Sequence, residues 1–175
     1  SMGGHNSVIY ATEHAAELSA LILVDTDVSY PPAAVEFLHK LGEKPAKVFD
    51  SLVETLSRFQ LLPRETFIST ENLRRLAVFA FRELSDGKWT AKLDRKTLFR
   101  EPIDGRPLLG QISCSTLIVR AQNTPILSLE KINRLVSNLP NGRWVEVPDT
   151  YHHVMLDNPN GLVKVVREFL GEIFP

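Results

Sequence analysis

At 175 residues, with 43% of them apolar and 23% charged, the chain has the size and composition of a soluble globular domain with a sizeable core. Its 20 Lys and Arg are scattered among 21 Asp and Glu for a net charge of −1, so there is no basic face for nucleic acid, and no apolar run approaches the length needed to cross a membrane. A single cysteine, Cys114, excludes an internal disulfide framework, reads as a small apolar residue before a strand, and is consistent with a reducing, cytoplasmic setting.

The first element is introduced by Ser1-Met2-Gly3-Gly4, which runs straight into a helical pattern over residues 3–18. S-x-G before a helix is the right-hand part of a nucleophile elbow, G-x-S-x-G. There a serine sits on a sharp strand-to-helix turn, and small neighbours avoid a backbone collision. A serine at position one also reads as an expression scar; the helix and apolar strand that follow favour the elbow. Leu21 to Asp25 is a short buried strand.

Helix after helix is then expected. Pro31-Pro32 starts one that carries Val35, Leu38 and Leu41; Phe49, Leu52, Val53, Leu56 and Phe59 line a second; Leu73, Leu76, Ala77 and Phe81 line a third. Ser85-Asp86-Gly87-Lys88-Trp89 predicts a tight turn feeding a short strand through Leu93. Strands return at Thr116 to Arg120 and Arg143 to Val147, with helices at Ser128–Leu139 and Pro159–Ile173, the last capped by Asp157-Asn158-Pro159. Alternating strand and helix indicates a parallel sheet covered on both faces. Three such strands leave exposed edges, so a partner is expected.

A serine hydroxyl needs an adjacent base, and His152-His153 after the last strand offers two imidazoles. Adjacent histidines in an extended segment point different ways, and no His/Cys group has zinc spacing, so no metal site is expected.

The Ser1-Met2-Gly3-Gly4 start, the strand–helix order and the segment His152-His153-Val154-Met155-Leu156-Asp157-Asn158-Pro159 resemble the lidded α/β-hydrolases: meta-cleavage-product hydrolases, epoxide hydrolases, haloalkane dehalogenases and small carboxylesterases. The resemblance covers the whole chain and implies an α/β fold. The chain would correspond to the C-terminal part of the α/β-hydrolase parallel sheet, of three strands, with a helical cap insertion. Residues 1–28 would form the elbow helix and strand, 29–112 the cap, and 113–175 the C-terminal core. Members place further strands before the serine, so a complementary N-terminal half or a homo-oligomer is the expected partner.

The resemblance also implies roles. Ser1 would be the nucleophile and His152 the base, with His153 beside it and Tyr151 where the family usually has glycine. The triad acid commonly follows the penultimate strand, yet residues 120–127 hold no carboxylate and Thr124 stands in its place. Some members carry the acid at the end of the strand after the elbow helix, here Asp25, with Asp27 the alternative. Asp25 also reads as a loop cap. The Met2 N–H would be one oxyanion donor; the other comes from a loop early in such enzymes, so these 175 residues alone are expected to be nearly inert.

The implied activity is that of a serine hydrolase acting on an ester, lactone, thioester or activated C–C bond, with a small hydrophobic acyl or aromatic substrate and no cofactor. Two other readings stand beside it. In one, Ser1 uses its own amine as base; in the other, the chain is a non-catalytic module or assembly half that binds a partner through its sheet edge.

Overall fold

A computed structural model describes residues 1–174. Helix α1 (Met2–Glu13) starts directly after Ser1, and a 3-10 turn (Ala15–Glu17) leads into strand β1 (Ala20–Val24). The expected single helix over 3–18 is broken at His14. Its ring stacks on Tyr10 at 4.2 Å, and Glu17 bonds both His14 Nδ1 and the Tyr10 hydroxyl, folding the chain back on itself.

The middle of the chain holds β2 (Ser29–Tyr30), α2 (Pro32–Glu43), β3 (Val48–Phe49), α3 (Leu52–Arg58), α4 (Thr70–Ala80), β4 (Phe81–Glu83), β5 (Trp89–Ala91) and β6 (Ile103–Asp104). A 3-10 turn (Arg106–Gln111) precedes β7 (Ser115–Ala121), α5 (Leu129–Ser137), β8 (Gly142–Val147), α6 (Val154–Asp157) and α7 (Pro159–Ile173). The chain divides into two compact units.

The first unit comprises Ser1–Tyr30, Glu65–Phe67 and the chain from Ile103 onward. Its sheet has the order β1-β7-β8 with all pairings parallel; Val24 lies beside Val119, and Ala121 beside Val147. Central β7 is buried on both faces, which is why it reads as one continuous apolar run. Ile118 packs with Val8 and Ala11 of α1 and Ile132 and Leu135 of α5, while Leu117, Val119 and Ala121 pack with Phe169 of α7. Each such Val, Leu, Ile or Phe side chain, fully buried, contributes about 1.5–3 kcal/mol. Cys114 is half-buried against the α1-side cluster.

Residues 103–112, expected with the helical insertion, pack in this unit for two reasons. β6 pairs antiparallel with β2, and Leu109 and Ile112 are fully buried in the α1-side core. Gly105 N–H donates to Val28 O, and a Cβ at Gly105 would come within 2.7 Å of that oxygen, so the close approach requires glycine. The rings of His5 and Tyr30, stacked at 3.9 Å, tie α1 to β2.

The second unit comprises residues 31–64 and 68–102. The Ser51 side chain accepts from Glu54 N–H and starts α3 at Leu52, so Phe49 joins β3 instead of the helix. β3, β5 and β4 form a small antiparallel sheet; β5 is the short strand expected after the turn at 85–89, where Gly87 (φ +78°) turns the β4–β5 hairpin, while β3 and β4 lie where helices were expected. Buried Phe81 meets Phe49 and Phe59 edge-on, each at 6.1 Å, while Phe37 and Phe79 are exposed. The Arg95 guanidinium caps the carbonyls of Leu41 and Gly42 at the end of α2.

Candidate active site

The carboxyl ends of β1, β7 and β8 lie side by side, and the loops leaving them carry Asp25, Thr124 and His152. Ligand sites of open parallel sheets form at this end. Asp25 leaves β1 with φ +44°, a left-handed conformation that is uncommon outside glycine and that collects at functional positions. Its backbone N–H still donates to Val119 O at 2.7 Å, so the turn falls at the last paired residue of the strand.

The Asp25 carboxylate is fully buried and takes three donors. Oδ1 accepts from Ala121 N–H at 3.1 Å. Oδ2 accepts from the Thr124 hydroxyl at 2.7 Å and lies 2.9 Å from His152 Nδ1. An ionised carboxylate can only accept, so the shared proton sits on Nδ1 and Nε2 is left as the basic nitrogen. The His152 side chain is 7% exposed, in a setting where this bond is little screened by water.

The loop carrying His152 is laced to the loop after β7. Asn123 N–H donates to Thr150 O at 2.9 Å, Asp149 N–H to Gln122 Oε1 at 3.0 Å, and the Thr150 hydroxyl to Val147 O at 2.6 Å. Arg120 bonds Leu127 O and pairs with Glu146, holding the β7 loop from the opposite side. Within the expected cap segment Asp157-Asn158-Pro159, Asn158 caps α7 through Gly161 N–H, and Asp157 does not share that role. Asp157 turns back instead: Oδ2 accepts from Tyr151 N–H at 2.7 Å, and Oδ1 from the Thr66 hydroxyl and Phe67 N–H. Tyr151 stacks at a tilt on Phe67, 4.9 Å between centroids.

Ser1 is exposed at the N-terminus of α1, and its side chain makes no capping bond to the helix. Its amino group bonds Thr26 Oγ1 at 2.8 Å and Val24 O at 3.3 Å, the residues flanking Asp25. Burial lowers the pKa of this amine from its ordinary value, with the Asp25 charge acting in the opposite direction. Met2 is the first residue of α1, which puts its N–H at the helix N-terminus beside Ser1.

Asp27 is directed elsewhere: it pairs with Lys131 Nζ at 2.7 Å and accepts from Ser29 N–H. The His153 ring is edge-on to His152, 5.2 Å between centroids. Sequence reasoning missed Thr26, the donor role of Thr124 and the clamp at Asp157. A Thr standing where an acid was expected was the one signal for the second of these. Among the described residues, no group of three His, Cys, Asp or Glu could hold a metal ion, and no helix is long and apolar enough to cross a membrane.

The chain is similar in structure to E-2-(acetamidomethylene)succinate hydrolase, with TM-score 0.80 and 20% identity over 98% of this chain and 64% of that one. An esterase of Mycobacterium tuberculosis matches with TM-score 0.76 and 20% identity, covering 96% of this chain and 59% of that one. The thioesterase domain from the curacin biosynthetic pathway matches with TM-score 0.73 and 18% identity, covering 95% and 62%. At these identities the likeness is one of fold, and the chain spans about three-fifths of each structure's length. A comparison with curated proteins returns no match. The model of the alpha/beta hydrolase fold matches residues 1–159, nearly the whole chain, and the protein belongs to that family.

Proposed function

We propose that the protein is a serine hydrolase in which Ser1 is the nucleophile, His152 the general base and Asp25 the acid that orients it. The observation that carries this reading is the buried 2.9 Å contact between Asp25 Oδ2 and His152 Nδ1, at the strand ends beside Ser1. It fits the chain order Ser, Asp, His of this fold. His152 Nε2 takes the Ser1 proton as Oγ attacks a carbonyl carbon, and the Asp25 charge stabilises the imidazolium that forms. The tetrahedral oxyanion is met by the Met2 N–H; on collapse His152 protonates the leaving group, and water then repeats the sequence on the acyl-enzyme.

The substrate class is an ester, lactone, thioester or activated C–C bond with a small hydrophobic acyl or aromatic group, and the scheme uses side chains and water alone. The second unit stands as the helical cap insertion in this reading. The second oxyanion donor of the fold comes from a loop ahead of the nucleophile, and each such donor is worth about 10²–10³ in turnover; single-hit labelling, which needs one acylation event alone, is the assay.

A second reading is suggested by the sheet order, which leaves β1 and β8 at the edges. In it the chain is a non-catalytic assembly half that binds a complementary N-terminal half or a second copy. A fluorophosphonate probe followed by peptide mapping, run beside gel filtration, separates the two. An adduct on Ser1 favours the hydrolase, and an unlabelled dimer the assembly half.

A further inference from the structure

We propose that Thr124 is the positioning residue that holds Asp25 in place for His152, supplying a proton donor from the β7 loop to an acid delivered from β1. This rests on the hydrolase reading of the Asp25–His152 pair and names how that pair is kept in register.

The direction of the Thr124 hydroxyl follows from its partners. Its oxygen accepts from Ile126 N–H at 3.0 Å and Leu127 N–H at 3.3 Å, which occupy its lone pairs, so its single proton goes to Asp25 Oδ2 at 2.7 Å. A threonine that only closed a local turn would use its oxygen and leave the proton uncommitted. Here the proton reaches 99 residues along the chain to the same carboxylate oxygen that His152 Nδ1 contacts.

With Ala121 N–H on Oδ1, the carboxylate is held at three points and its plane cannot rotate away from the imidazole. Thr124 is itself fixed. Its N–H donates to Ala121 O, the neighbouring Asn123 N–H donates to Thr150 O, and Arg120 Nε bonds Leu127 O at 2.8 Å. Bonds to a charged partner of this kind are about twice as strong as neutral ones.

The test reads the ring nitrogens of His152 by long-range proton–nitrogen NMR in the 175-residue chain, where they report the tautomer directly. The wild-type protein is expected to hold the Nδ1–H form. Thr124→Val should give a mixture of tautomers, and Thr124→Ser, which keeps the hydroxyl, should restore the wild-type pattern. Thr124→Cys keeps similar bulk with a weak donor and should also give the mixture, so the test stands if the valine variant does not fold.

A folded valine or cysteine variant with the wild-type pattern and only a lower Tm would overturn the proposal and leave Thr124 as a turn residue. Fluorophosphonate labelling of the same samples keeps the two readings apart. A tautomer change without a Ser1 adduct supports the positioning role and counts against the hydrolase. An adduct with no tautomer change in the variants does the reverse.

Discussion

Asp25 and His152, 127 residues apart in the chain, meet at 2.9 Å with the aspartate fully buried. The carboxylate meets two neighbours at once: Oδ1 accepts from Ala121 N–H while Oδ2 faces the imidazole.

That division of labour makes Asp25→Asn a sharp test. The amide oxygen can still accept from Ala121 N–H, so the fold should persist, but an amide N–H facing Nδ1 favours the wrong tautomer. Acylation of Ser1 by a chromogenic ester or fluorophosphonate is expected to fall by about 10⁴-fold, with the urea midpoint lowered by the equivalent of about 1–3 kcal/mol because the Thr124 hydroxyl proton loses its acceptor. Adding Thr124→Asp to this variant places a carboxylate close to position 25, where Thr124 Oγ1 now stands 2.7 Å from Asp25 Oδ2. Partial recovery of the labelling rate is expected.

Gly3 and Gly4 should respond differently. A Cβ on Gly4 would overlap the Thr26 side chain, which holds the Ser1 amine, whereas a Cβ on Gly3 meets nothing within 4 Å among the described residues. Gly4→Ala is expected to cost about 1–3 kcal/mol by overpacking. Gly3→Ala, in a helix and unobstructed, should be neutral or stabilising by up to about 1 kcal/mol. Urea denaturation of both variants checks this, and equal midpoints would contradict the packing of α1 on Thr26.

Asp157 links the segment Glu65–Phe67 to the His152 loop. Asp157→Asn keeps one acceptor oxygen and turns an NH₂ toward an N–H donor, leaving a backbone group unsatisfied at about 1–3 kcal/mol. Faster hydrogen exchange at the Tyr151 or Phe67 amide, together with a lower Tm, is the expected result. Unchanged exchange at both amides would show that the clamp does not order the loop.

The parallel strands and α7 were legible because apolar runs buried on two faces, and a proline after Asn158, leave strong local signals. β3 and β4 were not, since strands of two or three residues are too short to show a period, and β5 was legible only through the Asp86-Gly87 turn before it. Asp25 and His152 were named through the resemblance to the lidded α/β-hydrolases, whose chain order they fit. Their contact was not legible, because it depends on the sheet order that brings the ends of β1 and β8 to either side of β7. Thr124 was noticed only for the charge it lacks, because a hydroxyl proton aimed across 99 residues leaves no local mark. Asp157 stood so near a proline and an asparagine that its sequence context suggested a cap, while its side chain bonds backward to Tyr151.

The central claim is that Ser1 is acylated with His152 as its base, and the most direct measurement is the rate of fluorophosphonate adduct formation at Ser1, read by peptide mass in the wild-type chain, His152→Ala and His153→Ala. The account predicts an adduct on Ser1, a loss of about 10⁴-fold or more in His152→Ala, and retention of most of the rate in His153→Ala. No adduct on Ser1, or labelling that survives His152→Ala, would contradict it.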